Sequence, residues 1–155
     1  MKTKNWLWLI IAVFGLSFYA CSDSDDGVRI GNVSYFFKDT ESNSAIGNES
    51  VTYEVKDGIL NITITNYLMN GAAEGIDVKI QYDGLKNEFT LIPYDLGMPF
   101  SSSLRPIDIT TTVAGLEYGE TYQCTIEHMD LSFSFTCKNG VKGTVEEYTS
   151  YLSPH

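Results

Sequence analysis

The sequence predicts an all-β protein, an antiparallel sandwich of about seven to nine short strands that follows an N-terminal export signal. Three observations carry that expectation. After residue 32, apolar and polar residues alternate with a period of two over many short runs. Turn dipeptides such as Asp57-Gly58 and Asn139-Gly140 separate those runs. Beyond the first twenty residues, no stretch places apolar side chains at helical spacing.

The chain opens with Lys2 and Lys4, passes through the apolar run WLWLIIAVFGLSFYA and reaches the small residue Ala20, which are the three parts of a secretory signal. Those fifteen residues fall short of the ~20 that span a bilayer as a helix, so a cleaved leader is the stronger reading. Cys21 follows at once, then an acidic stretch, in the decapeptide FYACSDSDDG. This border resembles the lipobox of bacterial lipoproteins, in which a diacylglyceryl group is added to the cysteine and the leader is cut before it. Ala20 matches the small residue before the cut, whereas Phe18 and Tyr19 depart from the usual Leu and small residue. CSDSDD is similar to the surface-export signal of lipoproteins from Bacteroidota. The resemblance implies a lipid on Cys21 and an outer-membrane location, with the domain on the cell surface or, alternatively, on the periplasmic face. A calcium loop places carboxylates at alternating positions 1, 3 and 5. Asp23, Asp25 and Asp26 break that spacing, so the tether is the stronger reading.

The expected division is a leader at 1–20, an acidic tether at 21–28, a sandwich domain at 29–148 and a tail at 149–155. Along the domain, VSYFF is the first strand. VTYEVKDGILNITIT is a hairpin, with Val51, Tyr53 and Val55 alternating before Asp57-Gly58 and Leu60, Ile62 and Ile64 after it. IDVKIQYDGLKNEFTLI repeats the scheme, with Ile76, Val78, Ile80 and Tyr82 facing inward. IDITTTV and TYQCTI add two strands, and LSFSFTCKNGVKGTV reads as a third hairpin around Asn139-Gly140. Inward Val, Ile, Leu, Tyr and Phe against outward Thr, Ser, Lys and Asp give each sheet one dry and one wet face, the mark of antiparallel sheets.

The choice between a sandwich and a closed barrel rests on GLEYGETYQC, residues 115–124. Leu116, Gly119 and Tyr122 resemble the tyrosine corner of immunoglobulin-like and fibronectin type III domains, in which the Tyr hydroxyl bonds back to upstream backbone. The resemblance implies an immunoglobulin-like sandwich, with a lipocalin-like barrel as the runner-up. Cys124 lies where such domains carry the second cysteine of an inter-sheet bridge, but no cysteine occurs between residues 22 and 123. The stretch 51–126 also resembles a group of small lipoproteins of gut Bacteroidota with no assigned activity. They share a Y-x-V-x-D-G-x-L-x-I hairpin, here 53–62, and a G-L-x-x-G-x-x-Y corner, here 115–122. Clustered cysteines between those motifs are absent from this chain.

An oxidising compartment makes a disulfide between Cys124 and Cys137 a candidate. Register opposes it. Putting Tyr122, Cys124 and Ile126 on one face with Leu131, Phe133, Phe135 and Cys137 sets Cys124 opposite Phe133. Cys137 is then roughly 13 Å away along its strand, beyond the ~7 Å between Cα atoms that a bridge tolerates. Two buried thiols are the stronger expectation.

Net charge is −10, and loss of Lys2 and Lys4 with the leader makes it −12. An acidic chain with few Lys and Arg is expected to bind neither nucleic acid nor anionic lipid through a basic patch. No cofactor is expected, because phosphate loops, dinucleotide fingerprints and serine elbows do not occur. No metal site is expected either. His128 sits in a turn beside Glu127 and Asp130, and His155 is the last residue, while zinc needs three or four convergent ligands. A Cys124 nucleophile with His128 as base fails because the thiol points inward. Paired carboxylates keep a hydrolase as the residual alternative to a non-enzyme.

Three segments lack alternation, 38–49, 66–75 and 95–106, and loops at sheet ends commonly carry function in sandwiches. Tyr67 and Met69 in the second, and Met98 and Phe100 in the third, are the candidate binding residues. The leading expectation is a surface binding or adhesion module for an unknown protein or glycan ligand. A glycan is disfavoured by the absence of Trp after the leader, since Trp6 and Trp8 both lie within it. The competing expectation is an accessory or structural subunit of an outer-membrane assembly, of a glycan-uptake or pilus-like kind, pairing through a sheet edge.

Overall fold

A computed structural model describes residues 27–38, 48–97, 103–129 and 131–146. Nine strands occur among them: β1 (Arg29–Phe37), β2 (Ser50–Lys56), β3 (Ile59–Asn70), β4 (Gly75–Asp83), β5 (Glu88–Leu96), β6 (Leu104–Ala114), β7 (Thr121–Ile126), β8 (Leu131–Thr136) and β9 (Lys142–Glu146). They form two open sheets, a five-stranded one ordered β1-β6-β3-β2-β9 and a four-stranded one ordered β4-β5-β7-β8. The fold is therefore a β-sandwich, and the alternative of a closed barrel does not hold.

Period-two alternation places the core as expected. From the larger sheet come Val51, Val55, Leu60, Ile62, Ile64, Ile107, Ile109 and Val113, all at most 1 % exposed. Opposite them stand Phe89, Leu91, Tyr122, Cys124, Ile126, Phe133 and Phe135. Tyr53 stacks on Phe133, with ring centroids 4.3 Å apart and planes 10° from parallel, and so ties the two sheets together. Burial of aromatic rings of this size dominates the energetics of such a core.

Two expectations about pairing need correction. The sheets are not wholly antiparallel, because β5 and β7 pair in parallel, Phe89 with Cys124 and Leu91 with Ile126. The chain leaves the smaller sheet after β5, runs back as β6 in the larger one and returns as β7. With one strand between them, β5 and β7 point the same way. The segment around Asn139-Gly140 is also no hairpin. β8 belongs to the smaller sheet and β9 pairs with β2 in the larger, so this turn carries the chain from one sheet to the other. Gly140 adopts φ of 83° there and its N–H bonds the Val55 carbonyl at 2.9 Å. An Asn-Gly pair specifies a tight turn, not the strand that receives the chain afterwards.

Asp57-Gly58 is a true hairpin turn, with φ of 52° and 74° as a primed turn requires. Pro93 and Pro106 both lie within strands. β7 pairs with β5 only as far as Leu91, so the flank of Pro93 away from β4 has no strand awaiting a donor.

Candidate functional site

Strand direction sorts the connections into two ends. Residue 27 leads into β1, and Arg29 pairs with Ala114 at the end of β6. The turns at 57–58, 84–87, 115–120 and 137–141 lie at this same end. Gly115 packs so closely on the Gly27 carbonyl that a Cβ would collide with it, and its φ of 81° also favours glycine. At the opposite end lie residues 38, 48–49, 71–74, 97, 103 and 127–129. The described residues of all three segments that break the sequence alternation thus lie at the end away from Gly27.

That far end is built as an overhang. β3 and β6 continue beyond the ends of β2 and β9, pairing Tyr67 with Ile107 and Asn70 with Leu104, while β4 and β5 continue beyond β7 as far as Gly75 opposite Leu96. The two ribbons are joined where the Asn70 N–H donates to Asp95 Oδ2 at 3.3 Å, and the Glu74 N–H extends the β4–β5 ladder by bonding the Leu96 carbonyl at 2.9 Å.

Tyr67 and Met69 are not loop residues. They lie in β3, 7 % and 2 % exposed, as core of the overhang. The cause is a bulge between Ile64 and Tyr67, where Asn66 takes φ of 60° and the register shifts. Inward positions run 60, 62 and 64 before the bulge and 67 and 69 after it, so alternation resumes in the opposite phase. A break in phase resembles a loop in sequence, and an Asn tolerant of positive φ at the break was the available signal. Burial, followed by the charges of Asp95, Glu127 and Glu49, pushes the Tyr67 hydroxyl up to about 12, so it stays protonated at neutral pH. Met98, Phe100 and Cys21 lie outside the described residues. Exposed apolar side chains occur in the overhang, with Leu104, which shares the 95–106 segment with Met98 and Phe100, at 63 % and Leu96, which the sequence reading did not single out, at 39 %. Nearby, Arg105 covers the Phe37 ring at 4.1 Å from its centroid.

The tyrosine corner is geometrically present: Tyr122 is 2 % exposed and its hydroxyl accepts the Glu117 N–H at 2.9 Å. Cys124 pairs with Phe133 in register, and Cys124 and Cys137 are buried free thiols. Burial raises both thiols above the ordinary value, so neither is a ready nucleophile. His128 caps the β7–β8 turn with φ of 65°, and its contact with Glu127 at 3.7 Å is exposed. Among the described residues, no three His, Cys, Asp or Glu side chains converge as metal ligands.

One further surface has binding geometry. On the outer face of the larger sheet, Thr144, Thr52, Thr63, Thr110 and Ser34 stand side by side in one row across five strands. Beside it a shallow concavity of about 550 Å³ is lined by Thr52, Tyr53, Glu54, Asn61, Thr63, Lys142, Gly143 and Thr144. The hydroxyls and the Asn61 amide supply hydrogen-bond donors and acceptors beside the apolar surface that the concavity also exposes. Comparison with known proteins finds no matching family model, no matching curated protein and no matching solved structure.

Proposed function

We propose that the chain is a non-catalytic, lipid-anchored lipoprotein of the outer membrane whose sandwich displays a binding or adhesion surface at its far end. The observation that carries this reading is the segregation of connections. Gly27, six residues after the lipobox-like Cys21, lies at one end, and the described residues of the three segments that break the alternation lie at the other. A lipid on Cys21 therefore turns the irregular end away from the membrane. Stable anchoring by more than one acyl chain suits a domain with an acidic surface, which gains nothing from anionic lipid. The resemblances to the lipobox and to the surface-export signal of Bacteroidota support the address, and the tyrosine corner supports an immunoglobulin-like kinship of the domain.

A second reading has its own observation. The Thr-rich row and its concavity suit an extended, hydroxyl-rich ligand such as a glycan chain lying across the larger sheet, which would make the face rather than the tip the binding surface.

Expression of the full chain in a bacterium with a lipoprotein pathway tests the anchor. The mature N-terminal peptide is expected to begin at Cys21 and to carry lipid, and protease added to intact cells is expected to remove the domain. A cut elsewhere, or an unmodified Cys21, contradicts the reading. Leu96→Asp with Leu104→Asp, set against Thr52→Lys with Thr63→Lys, then separates tip from face by retention on immobilised envelope polysaccharide.

A further inference from the structure

Beyond the end of β1, three side chains of complementary reactivity meet. Lys38 follows β1, Asn66 forms the bulge of β3, and Asp108 lies on β6, the strand between those two. Lys38 Nζ is 2.5 Å from Asn66 Oδ1 and 2.8 Å from Asp108 Oδ1. The same Asp108 oxygen accepts the Asn66 backbone N–H at 2.9 Å, and Asn66 Nδ2 donates to the Asn48 carbonyl at 3.0 Å. Lys38 is itself held by its N–H, which bonds the Pro106 carbonyl at 3.2 Å. Given a C=O bond of about 1.23 Å, the Asn66 carboxamide carbon lies at most about 3.7 Å from the amine.

An amine against a carboxamide, with a carboxylate touching the amine and the amide's own backbone, is the arrangement for aminolysis. We infer that this cluster is a self-modification site at which Lys38 and Asn66 become joined by an amide bond. Asp108 takes a proton from the Lys38 ammonium, and the neutral Nζ adds to Cγ of Asn66. Asp108 then returns a proton to Nδ2 as the tetrahedral adduct collapses. The Nζ–Cγ bond forms and the Cγ–Nδ2 bond breaks. The nitrogen of Asn66 departs as ammonium, carrying the surplus proton that Lys38 brought, and Asp108 ends as it began. No oxidant, reductant or outside reactant takes part.

Position does most of the work. Held groups gain effective molarities of about 10⁵ M and above, and a bond made once in a protein's lifetime needs only a slow reaction. The side chains of Lys38 and Asp108 are 31 % exposed, so the amine keeps its solvation and ion pair, and slow maturation follows rather than a rapid step. Asn66 is 8 % exposed, which limits hydrolysis of the same carboxamide. The product spans β6 and ties the edge strand β1 to the interior strand β3. β1 is also the strand nearest the N-terminal tether, so a pull through a lipid on Cys21 would pass directly to the sheet interior; only this mechanical benefit rests on the anchor.

The test is the mass of the purified full chain, followed over prolonged incubation at mildly alkaline pH, together with a tryptic map. The chain is expected to become lighter by one molecule of ammonia, to resist trypsin after Lys38 and to yield a branched peptide joining the Lys38 and Asn66 segments. Lys38→Ala and Asp108→Asn are each expected to keep the unmodified mass, and Asp108→Asn retains an acceptor for the Asn66 N–H. An unmodified wild-type mass, cleavage after Lys38, or Asn66 hydrolysed to Asp beside an intact Lys38 overturns the inference. Its failure leaves the anchor reading intact, because the N-terminal peptide is measured separately.

Discussion

Single residues show where the core is tuned and where it is not. Thr111 occupies an inward position of β6 between Ile109 and Val113, fully buried, and its hydroxyl finds no partner among the described residues. A buried hydroxyl without a partner costs about 1–3 kcal/mol, so Thr111→Val is expected to raise stability by roughly 1 kcal/mol in urea denaturation. Tyr122→Phe removes the bond to the Glu117 N–H and should lower stability by about 1 kcal/mol; an unchanged midpoint would mean that the corner is ornamental. The titrating core groups set the alkaline limit. Tyr67 and both thiols have folded values raised mainly by burial, so the unfolded chain loses their protons first. Stability is then full below the ordinary thiol value and falls as pH rises through about 9 and on toward 12. A midpoint that stays constant across that window contradicts the burial of these groups. With Cys21 capped by lipid, a thiol reagent should find nothing in the native protein and two thiols, Cys124 and Cys137, after denaturation.

At the scale of strands, the sequence was legible wherever alternation kept one phase. The two hairpins around 57–58 and 84–87, the inward faces of β2, β6, β7 and β8, and the separation of Cys124 from Cys137 all follow from counting by twos. Alternation carries no information across a bulge or between sheets. The bulge at Asn66 reversed the phase of β3 and disguised Tyr67 and Met69 as loop, and the turn at Gly140 gave no hint that β9 would join β2. The parallel pairing of β5 with β7 was equally hidden, because it depends on where β6 goes. Since Met69 is core, Met69→Ala should cost about 2–5 kcal/mol, whereas the same change in a free loop would cost little. The pairing of Gly143 with Tyr53 is another element-scale constraint. The Tyr53 ring lies across Gly143, where a Cβ would stand 2.6–2.8 Å from ring and hydroxyl atoms. Gly143→Val should therefore displace the ring that stacks on Phe133 and destabilise by about 1–3 kcal/mol, readable as a loss of near-ultraviolet circular dichroism before the far-ultraviolet signal changes.

For the whole molecule, the account turns on orientation. The six steps from Cys21 to Gly27 reach at most about 20 Å, while the twelve residues of β3 alone extend about 40 Å. With the proposed lipid on Cys21, a tether that short would keep the Gly27 end near the bilayer and hold the overhang with Leu96 and Leu104 away from it. At the near end, Leu85 is fully exposed at the tip of the β4–β5 turn and Tyr118, a residue type that suits the lipid headgroup region, is 72 % exposed in the β6–β7 connection. The chain has no Trp after residue 8, so one introduced Trp is a clean reporter if the proposed leader is removed. The decisive measurement is fluorescence quenching by bilayer-embedded quenchers for lipidated Leu85→Trp and Leu104→Trp on vesicles. The account predicts strong quenching at position 85 and none at 104; equal quenching, or stronger quenching at 104, would contradict a sandwich that stands with its irregular end outward.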